Sequence, residues 1–165
     1  MRILGIDPGL AITGYGLIET SANGLKIAVL EAGVVRGKDK EPLEKRLLAL
    51  NTAVLEIMEN ATPDVVVVEG LYSHYQHPIT AILMGHARGV IYLAAAAKGL
   101  TVMNYSATRI KKSLTGNGRA SKEQVQHMVA TILSLGKIPE PPDVADALAV
   151  ALCHHRENSL GGKFR

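Results

Sequence analysis

Four consecutive valines, Val65 to Val68, run straight into Glu69 and Gly70. An extended segment that is apolar on both faces is the pattern of a central strand covered on each side, so the chain needs layers above and below a sheet. One such layer is visible just upstream. Pro42 opens a helix in which Leu43, Leu47, Leu50, Val54 and Met58 recur at spacings of three and four, giving one apolar stripe up to Asn60. Glu69 then emerges at the C-terminal end of the valine strand, where ligand sites gather in α/β sheets. With 165 residues and 47% hydrophobic content the chain suits a single domain with an ample core.

The other elements fill in around that strand. Residues 2 to 7 read as a strand with Ile3, Gly5 and Asp7 on one face and Leu4 and Ile6 on the other. Thr13 to Ile18 and Leu25 to Val35 read as two more strands joined at Ser21-Ala-Asn-Gly24, whose Asn-Gly step signals a hairpin, so the chain starts as an antiparallel meander. A long helix from about Ile79 to Lys98 is stopped by Gly99 and followed by a short strand, Leu100 to Asn104. Gly85 and Gly89 share one face of that helix, open to close approach by the sheet or by a second copy of the chain. Ser121-Lys-Glu-Gln124 is a capping box that starts a helix through Leu135. Pro139, Pro141 and Pro142 forbid its continuation, and the last helix is expected from Asp143 to about His155. Residues 1–157 are expected to form the domain and 158–165 a disordered tail.

The chemistry lies in acidic residues. A charge at the end of a buried strand is costly unless paired, and nothing basic adjoins Asp7 in sequence. With Glu69, Asp143 and Asp146 it predicts a carboxylate cluster; such oxygens hold Mg²⁺, two ions ~3.5–4 Å apart being able to clamp both oxygens of a phosphodiester displacement. Asp143 and Asp146 are equally readable as the N-cap and third residue of their helix. Arg109, Lys111, Lys112, Arg119 and Lys122 crowd around a Gly-rich turn, a phosphate-tracking edge more telling than the formal charge of +3. Tyr72 and Tyr75 follow Glu69 in an aperiodic segment suited to base stacking, worth about 1–3 kcal/mol per base. The six histidines contain no His-x-x-x-His zinc spacing. A lone Cys153 favours a reducing compartment. No signal-peptide core precedes Asp7, and the apolar stretch Val90 to Ala97 is too short to span a bilayer, so a cytoplasmic protein without membrane association is expected.

Four motifs occur in this order: Ile3-Leu-Gly-Ile-Asp-Pro-Gly-Leu10 with Thr13-Gly-Tyr-Gly16; Gly85-His-Ala-Arg-Gly89; Thr115-Gly-Asn-Gly-Arg-Ala-Ser-Lys-Glu-Gln-Val-Gln-His-Met-Val129; and Asp143-Val-Ala-Asp-Ala-Leu-Ala149. Over residues 1 to about 156 the chain resembles the RuvC family of bacterial Holliday junction endonucleases, in the ribonuclease H-like superfamily. The resemblance implies an α/β fold with a five-stranded mixed sheet, three antiparallel strands and two parallel additions, flanked by helices. It implies a homodimer that nicks opposed strands of four-way junction DNA with Mg²⁺, Mn²⁺ being a possible substitute, leaving 5′-phosphate and 3′-hydroxyl ends. Asp7, Glu69, Asp143 and Asp146 match the family's catalytic, metal-binding carboxylates. Lys111 and Lys122 match its DNA-binding positions, with Lys112 and Arg119 beside them, and Tyr72 stands where a stacking phenylalanine is common. Family members work with a branch-migration motor, RuvA and RuvB. The chain departs from the family at Tyr72, in the His-Tyr-Gln-His segment after Ser73, and at His86, where glutamine is usual; the first two bear on cut-site preference. The Gly5-Ile-Asp-Pro-Gly9 turn also resembles the first phosphate loop of actin-like and sugar-kinase folds, but those need a second domain and a second Asp-x-Gly loop that this chain lacks. A junction-binding module without catalysis would gain nothing from four clustered negative charges beside phosphate.

Overall fold

In a computed structural model, which describes residues 1–70 and 78–161, the chain forms one five-stranded sheet between two helical layers. Strands β1 (Arg2–Asp7), β2 (Ile12–Thr20) and β3 (Ile27–Arg36) pair antiparallel, while β4 (Val65–Glu69) and β5 (Thr101–Tyr105) add in parallel, giving the order β3-β2-β1-β4-β5. The expected mixed sheet is therefore present.

The valine run behaves as its pattern requires. Val65 and Val67 point into a core built with helices α3 (Ala107–Thr115), α4 (Lys122–Ile132) and α5 (Pro142–Gly161). Val66 and Val68 point into a second core with α1 (Leu43–Ala61) and α2 (Pro78–Ala97). All four are buried, and full burial of an aliphatic side chain contributes about 1.5–3 kcal/mol. In β1 the same alternation sends Ile3 to the α5 side and Leu4 and Ile6 to the α1 side.

Glycines set how closely α5 approaches. A Cβ on Gly5 would fall 2.1 Å from the Ala147 carbonyl oxygen, and one on Gly14 would fall 2.0 Å from that of Asp143. Bare backbone at these two positions lets the start of α5 lie directly on β1 and β2. The residues carried on that first turn are thereby fixed against the sheet.

Several boundaries differ from expectation. The β2–β3 connection is longer than an Asn-Gly hairpin: the Asn23 carboxamide accepts from the Leu25 amide (3.1 Å), and Ser21 N–H donates to Lys26 O (2.9 Å), delaying β3 to Ile27. Helix α3 was not foreseen in the basic segment; Ser106 caps it by accepting from the Arg109 amide at 3.3 Å. Helix α4 stops at Ile132, just before Ser134 in the left-handed region at φ 52°. The expected tail is corrected for residues 158 to 161, which continue α5: Ser159 Oγ donates to His155 O at 2.9 Å, and Asn158 Nδ2 meets His154 Nε2 at 2.9 Å. Residues 162–165 lie outside the described residues.

Helix α2 matches the long helix expected, but its apolar stretch is longer than Val90 to Ala97. Over Ile79–Ala97 it is long and apolar enough to cross a membrane by length and composition. Ala87, Ile91, Ala94 and Ala95 are nevertheless buried against the sheet layer. Among the described residues, nothing lies within 4 Å of a Cβ built on Gly85 or Gly89, so their face is not turned to the sheet.

Candidate active site

Asp7 and Glu69 close neighbouring parallel strands, since Ile6 pairs with Val68 one position earlier. Asp7 also pairs with Gly14 across the antiparallel side, and Gly14 is the residue against which the Asp143 backbone packs. Because α5 begins at Pro142, Asp143 lies inside its first turn instead of at the N-cap. One turn on, Asp146 shares a cleft of about 320 Å³ with Asp7, Glu69, Lys111 and Lys122, walled by the apolar Ile110, Val125 and Ala149. The strand ends and the glycine-seated helix thus bring Asp7, Glu69 and Asp146 into one cleft, while Asp143, near enough to act on the charge of Asp7, lines the neighbouring cavity.

Their mutual repulsion is large. Burial, followed by the charges of Glu69, Asp146 and Asp143, pushes Asp7 up to about 8, with Lys122 opposing. Glu69 is likewise raised by burial and then by Asp146, against the lowering influence of Lys122, Lys111 and Arg88. Lys122 provides most of the relief visible here: its Nζ lies 2.7 Å from Asp146 Oδ2. Partial burial disfavours the Lys122 ammonium, yet the hydrogen bond it donates to Asp146 and the charges of the surrounding carboxylates more than offset this and raise its pKa.

Among the described residues, no three His, Cys, Asp or Glu side chains converge closely enough to hold an ion in their present rotamers. The donor set nonetheless fits a hard divalent cation. It consists only of carboxylate oxygens, and Asp7, pushed up to about 8 chiefly by burial, would ionise more readily beside added positive charge. Lys122 already occupies one oxygen of Asp146, so a cation held by this residue would compete with that ammonium for the carboxylate.

The sequence motif Gly85-His-Ala-Arg-Gly89 contained a residue whose role was not read. Arg88, the single Asp, Glu, Lys or Arg of α2, is buried. Its guanidinium donates to the Glu69 main-chain carbonyl, to Tyr92 Oη and to Asn104 Oδ1, the last at 3.0 Å. Tyr92 Oη in turn donates to Asn104 Oδ1. A lone cation within an apolar helix was the available signal, because such a charge must be aimed at buried acceptors.

The basic cluster is divided by the fold. Lys111 and Lys122 enter the carboxylate cleft, whereas Arg109 and Lys112 line a separate cavity with His155, Arg156 and Glu157. Arg109 is paired there with Glu157 at 2.5 Å. Arg119 is exposed in the turn before α4. Tyr72, and with it Tyr75 and the neighbouring histidines, lies outside the described residues.

A family model described as crossover junction endodeoxyribonuclease RuvC matches residues 3–154. The RuvC of Rhodopirellula baltica is 50% identical over 153 residues, covering 93% of this chain and 85% of that one. The Thermus thermophilus RuvC structure superposes with TM-score 0.90 at 35% identity, covering 98% of this chain and 97% of that one. The T. thermophilus RuvC in complex with Holliday junction substrate matches equally, at TM-score 0.90 and 35% identity, with coverage of 98% and 96%. The yeast mitochondrial resolvase Ydc2, at 15% identity and TM-score 0.73 over 99% of this chain and 81% of its own, shares the fold. The sheet order, the carboxylate-bearing strand ends and these matches agree on a ribonuclease H-like fold, and the chain belongs to the RuvC family of crossover junction endodeoxyribonucleases.

Proposed function

We propose that this nuclease resolves four-way DNA junctions by paired, symmetric nicks in recombination and repair, using Mg²⁺ held by Asp7, Glu69, Asp143 and Asp146. The observation that carries this reading is one cleft in which Asp7 and Glu69, raised by burial and then by neighbouring carboxylates, stand with Asp146 facing two lysines. Two ions in that cleft, with Mn²⁺ as a substitute, would lower the pKa of the attacking water and take up charge developing at the phosphate. Lys122 turns from Asp146 to a phosphate oxygen when DNA arrives, and Lys111 binds beside it. The apolar Ile110, Val125 and Ala149 wall lowers the polarity on one side of the cleft and so strengthens the charge contacts beside it. Arg88 holds the Glu69 backbone in place. Hydrolysis leaves 5′-phosphate and 3′-hydroxyl ends.

Paired nicking needs two sites, and the open face of α2 supports a homodimer. Ile79, Ile82 and Leu93 are 74%, 60% and 67% exposed, and Gly85 and Gly89 leave room for a second backbone between them. The protein would act in the bacterial cytoplasm, with a RuvA–RuvB branch-migration motor as its working partner.

The test is cleavage of an end-labelled synthetic four-way junction beside linear duplex of the same sequence, with Mg²⁺ or EDTA and with Asp7→Asn. Paired nicks confined to the junction and lost in both controls are expected. Binding without cutting would leave a junction-recognition module, and equal cutting of linear duplex would remove the structural specificity.

A further inference from the structure

Lys111 and Lys122 stand on one side of the carboxylates, on α3 and α4. A strand drawn through the cleft must continue past Asp7 on the other side. There a second cavity, of about 600 Å³, is lined by Asp7, Asp143, Asp39, Arg46, Thr80 and Leu83 among others, and Asp7 belongs to both cavities. Its floor is built rather than incidental. Thr13 Oγ1 donates to Gly9 O at 2.6 Å and the Gly37 amide to Ala11 O at 2.8 Å. A Cβ on Gly9 or on Gly37 would fall 2.2 Å from a main-chain oxygen, of Ile12 or of Leu10, so the loop is closely packed on both sides.

Arg46 is the one cationic residue among the described residues that line this cavity. Its side chain is only 14% exposed, but its ionic partner, Asp39 at 3.1 Å, is 74% exposed. Its Nε is buried and has no hydrogen-bond partner among the described residues. A sheltered guanidinium with an unused donor and a solvent-swept carboxylate for company is poised to exchange that carboxylate for a better anion. Phosphate fits, because the planar fork of arginine matches two oxygens at once.

We propose that this cavity is a second DNA subsite in which Arg46 binds a backbone phosphate of the cleaved strand, on the α1–α2 side of the carboxylates, with Asp39 holding its place in the free protein. This assignment rests on the junction-nuclease reading. The competing account is that the Arg46–Asp39 pair merely tethers the segment between β3 and α1.

Junction binding in EDTA, measured at several salt concentrations for the full chain, separates the two accounts. Arg46→Gln should weaken binding about tenfold and reduce the slope of log affinity against log salt by about 0.9, the signature of one lost phosphate contact. Arg46→Lys should retain most of the slope. Asp39→Asn should strengthen binding by about two- to fivefold, since it frees Arg46 from a weak surface pair. A tether predicts instead that Arg46→Gln and Asp39→Asn weaken binding together, with the slope unchanged, and that result overturns the proposal. Should Arg46→Gln fail to fold, the opposite signs expected for Asp39→Asn and a tether still decide. Wild-type protein without preference for the junction would sink the functional reading itself, whereas normal wild-type binding with an unaltered Arg46→Gln slope would sink the subsite alone.

Discussion

Helix α5 carries a buried polar cluster at each end, and the two are built in opposite ways. Near its C-terminal half, Tyr105 Oη meets His154 Nδ1 at 2.9 Å, His154 Nε2 meets Asn158, and Arg156 donates to Ser113 O at 2.5 Å. Each group there has a partner. At its N-terminal end, Asp143 and Asp146 are pressed toward Asp7 and Glu69, and charge repulsion is relieved chiefly by Lys122. The first cluster is finished by the fold and stabilises it. The second is left electrostatically incomplete, so it costs stability and gains a use for a cation and a phosphate.

Asp7→Asn tests this contrast most sharply. It should abolish cleavage, by about a thousandfold or more, because the central carboxylate is lost. In metal-free buffer at pH 8 it should nevertheless raise the melting temperature. Folded Asp7 titrates near 8 instead of 3.8, so its contribution to stability is fully present below 3.8 and is lost as pH rises through about 8. At about 1.4 kcal/mol per pKa unit the relief is on the order of a few kcal/mol. Mg²⁺ should stabilise the wild type at pH 8 and leave Asp7→Asn almost unmoved; a variant that melts lower than wild type without metal would show that Asp7 is not strained.

Arg88→Met comes next in size. Losing the donor that holds Glu69 should cut cleavage about 10–100-fold and raise the Mg²⁺ requirement, as removal of groups supporting a metal ligand does. Calorimetric Mg²⁺ titration should weaken in parallel, while junction affinity in EDTA stays at the wild-type value. Equal loss of folding and junction binding would make Arg88 a core residue only.

The satisfied cluster should respond in the reverse manner. Tyr105→Phe leaves His154 Nδ1 without its partner and should cost about 1–3 kcal/mol, with cleavage at low temperature unchanged. Burial lowers the pKa of His154 and His155, so their contribution to stability is present above the unfolded value of 6.5 and is lost as pH falls through the lower folded values. Metal-free protein should therefore lose stability toward acid through α5's histidines and toward alkali through Asp7. A thermal-denaturation series across pH checks both limbs, and Mg²⁺ should lift only the alkaline one.

What sequence made legible follows the same division. Val65 to Val68, the meander and the stripe from Leu43 to Met58 are strong periodic signals, because burial on known faces leaves few alternatives. Asp7 and Glu69 were legible as neighbours because charges at strand ends have poor structural excuses, whereas Asp143 and Asp146, in the first turn of α5, read equally well as helix caps. Helix α3 was not, since only Ile110 and Leu114 of it are buried and its existence depends on packing against α5. Nor was the sorting of its charges, which turns on angular position around the helix and on what stands opposite. Arg88 escaped for the same reason: two of its acceptors, Glu69 O and Asn104 Oδ1, come from other elements.

The two sides of α3 provide the smallest and most local prediction. Lys111 faces uncompensated carboxylates, but Arg109, two residues earlier, faces Glu157 and lies over the Tyr105 ring at 5.1 Å. Glu157→Gln removes a largely surface ion pair and should cost about 0.2–1 kcal/mol. Junction cleavage should stay within about twofold of wild type, since neither member of the pair lines the carboxylate cleft. Lys111→Gln, with a similar change of side chain on the other side of the helix, should leave the melting temperature nearly unchanged and reduce cleavage far more. If both variants impaired cleavage alike, the basic segment would act as one undivided DNA-binding edge, and the partition made by α3 would carry no functional meaning.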